Sequence, residues 1–407
     1  MKCGLLGHKL GHSYSPQIHS LLGSYDYFLF EKEPEELADF LKNGDFSGLN
    51  VTIPYKKAVI PYLSELSHVA KRLGAVNTIV RREGRLIGHN TDYFGFHSML
   101  AQSGLDVQNQ KVLVLGSGGA SNTAVAVLED LGANPIVISR TGENNYQNLQ
   151  LHADAAVIVN ATPVGMYPNV GVSPIDLSHF PRLKSVLDIV YNPARTQLLL
   201  DAQKRGITTM NGLWMLVAQA KESAEWFTNS SISNVKIQEI HKKLRLQMEN
   251  IILIGMPGSG KSTVGKLLAA QLGKVFADSD CAIIERTGMS IPEIFTQQGV
   301  DGFRAIETEV LAELGMGSGL VIATGGGCVT REENYPLLHQ NATIFCLDRN
   351  ISSLPTEGRP LSQAGQLEEM YHIRKPLYDR FADHHIDCNQ NPETAAAQIL
   401  QILEERT

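Results

Sequence analysis

At 407 residues the chain is longer than one typical core and has room for two or three domains. Hydrophobic residues make up 43% and charged residues 19%, which excludes a disordered or fibrous chain. The 35 basic against 42 acidic residues give a net charge of -7, which offers no footprint for nucleic acid or an anionic membrane and points to small-molecule chemistry.

Cys3, Cys281, Cys328, Cys346 and Cys388 are scattered and form no CxxC pair, so reduced thiols are expected rather than a disulfide framework or a zinc site. The opening MKCGLLGHKLGHSYSP lacks the unbroken apolar stretch of a signal peptide, and no run of about 18 apolar residues occurs, so a cytoplasmic protein without a membrane span is expected. His8 and His12 sit in a glycine-rich loop without a third ligand, which argues against a metal there.

Residues 1–92 are too many for a loop and carry their own strand and helix signals, so they are expected to form a domain. Their polar residues gather in HSYSP (Ser13, Ser15), NVTIPYKK (Thr52, Lys56) and AVNTI to GHNTD (Asn77, Asp92). Hydroxyls, amides and a Lys/Asp pair suit a pocket for a polyhydroxylated acid, in which Lys56 and Asp92 could supply a proton to a ketone being reduced. Lys57 competes with Lys56 for that role, and the spacing from NVT favours Lys56.

Short apolar runs then alternate with helical patterns: VLVLG at 112–116, IVIS at 136–139, AAVIVNA at 155–161 and VLDIVY at 186–191. The alternation predicts an α/β fold with parallel sheets flanked by helices. GSGGAS (Gly116, Ser117, Gly118, Gly119, Ala120 and Ser121) follows a strand and opens a helix, so it can seat a pyrophosphate on the helix N-terminus. The next strand ends in Ser139, Arg140 and Thr141, where an arginine can pair with a 2′-phosphate, which favours NADP; Glu143 nearby leaves NAD open.

NSSISN at 229–234 is a polar break, and VKIQEIHKKLRLQMEN at 235–250 reads as an amphipathic helix with Val235, Ile237, Ile240, Leu244 and Met248 on one side. The domain boundary is placed near Met248. Beyond it, strand IILIG leads into GMPGSGKST, Gly255 to Thr263, a phosphate loop in the context that motif requires. The backbone N–H groups of Gly258, Ser259 and Gly260 would surround phosphate oxygens, Lys261 would reach the β- and γ-phosphates, and Ser262 would ligate Mg2+, with Thr263 continuing into the helix. Asp278 and Asp280 follow a strand, Arg304 and Glu307 share a predicted helix, and Gly325 to Gly327 follow strand VIAT, where bare backbone lets a ligand approach.

The ordered set GxxGxGKST, DxD, FRxxE, GGG, GRPL and RxPLY resembles shikimate kinase over residues 249–407. That resemblance implies a P-loop domain of the nucleoside-monophosphate-kinase type using MgATP. It implies Asp278 near the Mg2+ shell, Asp280 on the hydroxyl that is phosphorylated, and Arg304, Gly326 and Arg374 around the rest of shikimate. It also implies Arg359 on a lid at the transferring phosphoryl. Two departures stand out: the stretch DRNISSLPTEG is short for the family's lid, and Asn389 and Gln390 stand where many relatives carry arginine.

The clusters of the first half, with NATPVGM at 160–166, YNP at 191–193 and NGLWMLVAQA at 211–220, resemble shikimate dehydrogenase over about residues 1–248. The resemblance implies a substrate domain at 1–92, a Rossmann-type NADP domain at 93–212, and a helix at about 213–248 returning to the first domain. It assigns Ser13, Ser15, Thr52, Asn77, Asp92, Tyr191 and Gln219 to substrate and Lys56 to the acid/base role, with Ile189 and Gly212 near the nicotinamide. Together the resemblances imply a bifunctional enzyme that makes shikimate from 3-dehydroshikimate with NADP(H) and phosphorylates it with ATP and Mg2+. Quinate as substrate, another small-molecule kinase, or a nucleotide-binding regulator in the second half remain open alternatives at this level, as does oligomeric state.

Overall fold

The computed structural model describes residues 1–11, 13–354 and 364–405. Backbone contacts divide the chain into two units, one of Met1–Val164, Ser173–Tyr191 and Asp201–Lys243, the other of Gly165–Val172, Asn192–Leu200 and Leu244 onward.

The first unit holds two sheets. One has the strand order Asp26–Glu31, Lys2–Gly7, Gly48–Val51, Thr78–Arg82, Arg85–His89 and Glu65–Leu66. It is mixed: Gly48–Val51 pairs antiparallel with Thr78–Arg82, which pairs antiparallel with Arg85–His89. The second of these pairs is made by the turn at Glu83 and Gly84, both with positive φ (50° and 76°), which folds the chain straight back as a tight hairpin. The other sheet, in the order Thr208–Met210, Ser185–Asp188, Val157–Asn160, Lys111–Leu115 and Asn134–Ile138, is parallel throughout, and two of its strands, Val157–Asn160 and Ser185–Asp188, are buried along their whole length.

Helix Leu213–Thr228 packs against helices Asp92–Ser103 and Ser15–Leu22 and against strands of the mixed sheet. Gly95 permits the crossing, since a Cβ there would lie 2.9 Å from the Met215 carbonyl and 3.0 Å from Gln219 Cβ. The stretch that the resemblance gave as one returning helix is two, separated at the polar break read at 229–234: Asn229, left-handed at φ 52°, ends the first, and Val235–Met248 forms the second. Ile237, Ile240, Leu244 and Met248 are buried, but Val235 is 61% exposed. Two residues before Ile237 is about 200° around a helix of 3.6 residues per turn, so Val235 lies on the opposite face.

The second unit is built on a parallel sheet in the order Val275–Asp278, Leu320–Ala323, Asn250–Ile254, Ala342–Asp348 and His384–Asp387. Alternate residues face opposite cores: Ile252, Ile254, Ile344 and Cys346 pack with Leu311, Tyr378 and Phe381, while Ile251, Leu253, Phe345 and Leu347 pack with Leu268, Ala395 and Ile399. Burial on both faces explains why these strands read as unbroken apolar runs. The 26-residue helix Ile291–Met316 is interrupted at Gly299 (φ 71°), so Arg304 and Glu307 ride on its second segment. Among the described residues no helix is long and apolar enough to cross a membrane.

Candidate active sites

In the first unit a cleft of about 270 Å3 is lined by Ser13, Ser15, Thr52, Lys56, Asn77, Asp92, Ile189, Tyr191, Gly212 and Gln219. Residues more than 200 positions apart in sequence therefore share one wall, and every substrate residue named for the first half is among them. Lys56 sits on the short helix Tyr55–Ala58 that follows strand Gly48–Val51, and Asp92 opens helix Asp92–Ser103. Lys56 Nζ donates to Asp92 Oδ2 at 2.6 Å, while Asn77 Nδ2 donates to Asp92 Oδ1 at 2.9 Å. Asn77 is itself held, because its Oδ1 accepts from the Thr91 N–H at 2.7 Å. The carboxylate is thus fixed on both oxygens, and the ammonium faces the cleft as a proton donor. Lys57, the competing lysine, is exposed.

Behind this pair lies a polar network that the motifs did not single out. Ser223, fully buried on helix Leu213–Thr228, meets Asn50 Nδ2 at 2.8 Å, Thr78 Oγ1 at 2.9 Å and Thr91 Oγ1 at 3.0 Å. Its hydroxyl also bonds the Gln219 carbonyl at 2.9 Å. Asn50 lines the cleft as well. Two signals were available: Asn50 begins NVT, and Ser223 stands one helical turn beyond Gln219.

Gly116, at φ 105°, ends strand Lys111–Leu115, and Gly118 caps helix Gly119–Asp130. A Cβ at Gly118 or Gly119 would meet nothing within 4 Å, so bare backbone at the helix N-terminus opens onto free space, with Ser117 and Ala120 beside it. That fits a pyrophosphate. Ser139, Arg140 and Thr141 follow the adjacent parallel strand Asn134–Ile138, and Arg140 is exposed. The loop carrying Arg140 is braced by the Ser139 N–H on the Asn144 carbonyl (3.1 Å) and by Asn148 Nδ2 on the Glu143 carbonyl (2.8 Å). Ile189 and Gly212 pack directly together, since a Cβ on Gly212 would collide with the Ile189 carbonyl.

The second unit has a cavity of about 620 Å3 over the carboxyl end of its sheet. Gly255, Gly258 and Gly260 have φ of 138°, 86° and 98°, values that keep the phosphate loop open at glycine. Gly258, Gly260, Lys261, Ser262 and Thr263 line the cavity. Ser259 differs from the expectation that its amide faces phosphate: its N–H bonds the Met256 carbonyl at 3.1 Å and its side chain is buried, because the loop closes a turn there. Lys261 Nζ rests on the Gly255 and Met256 carbonyls at 2.9 and 3.0 Å. Ser262 Oγ donates to Asp278 Oδ2 at 2.7 Å, and Asp278 Oδ1 caps the next helix through the Asp280 N–H. A hydroxyl and a carboxylate at that separation fit a Mg2+ site with oxygen ligands.

Asp280 Oδ1 and Glu307 Oε1 are buried without a hydrogen-bond partner among the described residues. Burial, reinforced by the Asp278 charge, raises the Asp280 carboxyl above its usual range. Burial also raises Glu307, opposed by Arg304, whose Nη1 donates to Glu307 Oε2 at 2.5 Å. The three glycines make room for this chain's own groups, which refines the expectation that they admit a ligand. A Cβ on Gly325 would lie 2.6 Å from Glu307 Oε1, one on Gly326 would lie 2.7 Å from Pro257, and one on Gly327 would overlap the Arg304 guanidinium. The Gly326 carbonyl accepts from Arg374 Nη1 at 3.1 Å and from the Tyr378 hydroxyl. Arg359 and His12 lie outside the described residues. Phe295, Phe303 and Arg349 also line the cavity and were not anticipated. For Arg349 the signal was its position directly after strand Ala342–Asp348, at the sheet edge where parallel folds gather their sites.

The family model for shikimate kinase matches residues 257–404, and that for the shikimate dehydrogenase substrate binding domain matches residues 5–79. The shikimate dehydrogenase (NADP+) of Clostridium perfringens is 37% identical over 265 residues, covering 60% of this chain and 97% of that relative. Among solved structures, shikimate dehydrogenase 1 of Peptoclostridium difficile is 40% identical with a TM-score of 0.55, covering 60% of this chain and 98% of that one. The Thermus thermophilus shikimate 5-dehydrogenase, solved with NADP(H) and shikimate, is 30% identical with a TM-score of 0.54, covering 60% of this chain and 99% of that one.

Proposed function

Because the chain belongs to the shikimate dehydrogenase family through its N-terminal part and carries a shikimate kinase domain in its C-terminal part, we propose that it catalyses two consecutive reactions. The first reduces 3-dehydroshikimate to shikimate with NADPH. The second transfers the γ-phosphoryl of MgATP to the 3-hydroxyl of shikimate. The observation that carries this reading is that the Lys56–Asp92 pair and the Lys261 phosphate loop each line a cavity of their own, in domains whose families act on one shared compound.

In the first site Ser13, Ser15, Thr52, Asn77, Tyr191 and Gln219 hold the hydroxyls and carboxylate of the substrate. NADPH, when bound, supplies a hydride to the ketone carbon. Lys56 gives a proton to the oxygen that becomes the alcohol, and Asp92, anchored by Asn77, keeps the ammonium aimed. Gly116 to Ala120 seat the pyrophosphate, with Ser139 and Thr141 beside Arg140, which pairs with the 2′-phosphate and so favours NADP over NAD.

In the second site Gly258, Gly260 and Thr263 cradle the polyphosphate of ATP, and Lys261 transfers its bonds from the loop carbonyls to the β- and γ-phosphates. Ser262 and Asp278 hold Mg2+, which supplies positive charge against the phosphates. Asp280 accepts the proton of the attacking hydroxyl as the new P–O bond forms and ADP leaves. Arg304, steadied by Glu307, and Arg374, steadied by Gly326, grip the shikimate carboxylate.

The test supplies 3-dehydroshikimate, NADPH and MgATP to the full chain and follows NADPH oxidation and ADP formation together. Both signals are expected, with ADP appearing after shikimate accumulates. Shikimate that elicits no ADP would reduce the second half to a nucleotide-binding regulator. Faster turnover of quinate with NAD than of shikimate with NADP in the reverse direction would overturn the first assignment.

A further inference from the structure

Among the described residues, four cationic side chains line the cavity of the second unit: Lys261, Arg304, Arg349 and Arg374. Lys261, Arg304 and Arg374 have acceptors at hydrogen-bond distance, in the Gly255 and Met256 carbonyls, the Glu307 carboxylate and the Gly326 carbonyl. Arg349 differs. Its Nη1 is 3.5 Å from the Gly258 carbonyl, at the outer limit of a hydrogen bond, and its Nε is buried without a partner among the described residues. The neighbouring Asp348 is already engaged, with Oδ2 on His385 Nδ1 at 2.8 Å and Oδ1 accepting from the Cys346 thiol at 3.6 Å.

The backbone places this guanidinium with some care. Arg349 directly follows strand Ala342–Asp348, which pairs with Asn250–Ile254, the strand that feeds the phosphate loop. The Asn350 N–H bonds Asn389 Oδ1 at 2.8 Å, pinning the chain immediately after it. A guanidinium with a desolvated, unmatched donor on a cavity wall favours an anion that accepts its N–H groups, and its planar fork suits phosphate oxygens. Gly258, the residue it approaches, belongs to the phosphate loop.

We infer that Arg349 is a ligand for the polyphosphate of the donor nucleotide, binding it from the end of the sheet strand beside Gly258. The inference rests on the kinase reading of the second unit and adds a nucleotide-binding residue to it. Arg349 approaches the Gly258 carbonyl of the phosphate loop, whereas Arg304 and Arg374 bond the Glu307 carboxylate and the Gly326 carbonyl, so its loss is expected to act on nucleotide affinity.

Calorimetry on the full chain with Mg2+ measures ATP, ADP and shikimate binding to wild type, Arg349→Ala and Arg349→Lys. Arg349→Ala is expected to weaken ATP and ADP by about 10- to 100-fold, as loss of a charge-assisted contact does, with shikimate affinity held within about twofold. Arg349→Lys is expected to recover part of the loss, since it restores charge without the fork. Nucleotide affinity within about twofold of wild type in Arg349→Ala overturns the inference, as do equal losses for nucleotide and shikimate, which mark a brace for the loop. Should Arg349→Ala fail to fold, Arg349→Gln is read by the same criteria. Wild type that binds no ATP overturns the kinase reading itself, an outcome distinct from wild type and variant binding it equally.

Discussion

Lys56 Nζ donates to Asp92 Oδ2 across 2.6 Å while Asn77 holds the other carboxylate oxygen at 2.9 Å, so a proton donor is fixed at the wall of the cleft by two neighbours. Lys56→Ala removes the donor and leaves the hydroxyl-bearing wall. Reduction of 3-dehydroshikimate is expected to fall about 100- to 10,000-fold in kcat, with shikimate binding still measurable by calorimetry. Activity near wild type would remove Lys56 from the acid/base role.

Ser223 joins Asn50, Thr78 and Thr91 through one buried hydroxyl. Ser223→Ala leaves those groups short of a partner and is expected to cost about 1–3 kcal/mol. Both tryptophans, Trp214 and Trp226, lie in the first unit, so urea unfolding followed by their fluorescence reports on that unit. An unchanged midpoint would show the network to be dispensable.

Gly327 has no room for a side chain against Arg304. Gly327→Ala should therefore push the guanidinium from its place and raise the KM for shikimate by roughly 10- to 100-fold, with the KM for ATP little changed. Equal rises in both constants would point to general distortion of the cavity.

Asp280 carries a carboxyl raised above its usual range by burial and by Asp278. A base must be ionised to work, so phosphorylation is present above the Asp280 pKa and is lost as pH falls through it. The acid limb of kcat/KM for shikimate should accordingly lie above the ordinary aspartate value of about 4. Asp280→Asn should lower kcat by about 100-fold or more and abolish that limb. A limb that survives the substitution belongs to another group.

Lys261→Ala takes away the ammonium that meets the phosphates and is expected to reduce ADP formation by at least about 100-fold while NADPH oxidation by 3-dehydroshikimate proceeds at its wild-type rate. Loss of both activities would show that the two halves are coupled.

The features legible in the sequence are those whose parts are neighbours in the chain. GMPGSGKST announces a phosphate loop because strand, glycines, lysine and helix follow one another without interruption, and Gly116 to Ala120 announce a second nucleotide turn for the same reason. Strands such as Asn250–Ile254 are legible because burial on both faces demands a nearly unbroken apolar run. Lys56 and Asp92 were paired across 36 positions because their motifs carried chemistry that needs a partner.

Tertiary structure decided what depends on which surfaces meet. Asn50 and Ser223 are 173 positions apart and share a hydrogen bond because helix Leu213–Thr228 lies on the mixed sheet, a packing no local pattern encodes. The hairpin at Glu83 and Gly84 sets Thr78–Arg82 antiparallel to Arg85–His89, a strand direction that the apolar runs alone do not specify. Gly325 to Gly327 read as an opening for a ligand, and packing revealed that they also clear space for Glu307, Pro257 and Arg304. Arg349 is one arginine among many in the sequence; the parallel pairing of its strand with the one before the phosphate loop brings it to Gly258. Sequence alone thus determined the chemistry each local motif can perform, whereas the distances that assemble those motifs into sites come from the burial of sheet and helix faces against one another, which is a property of the whole chain.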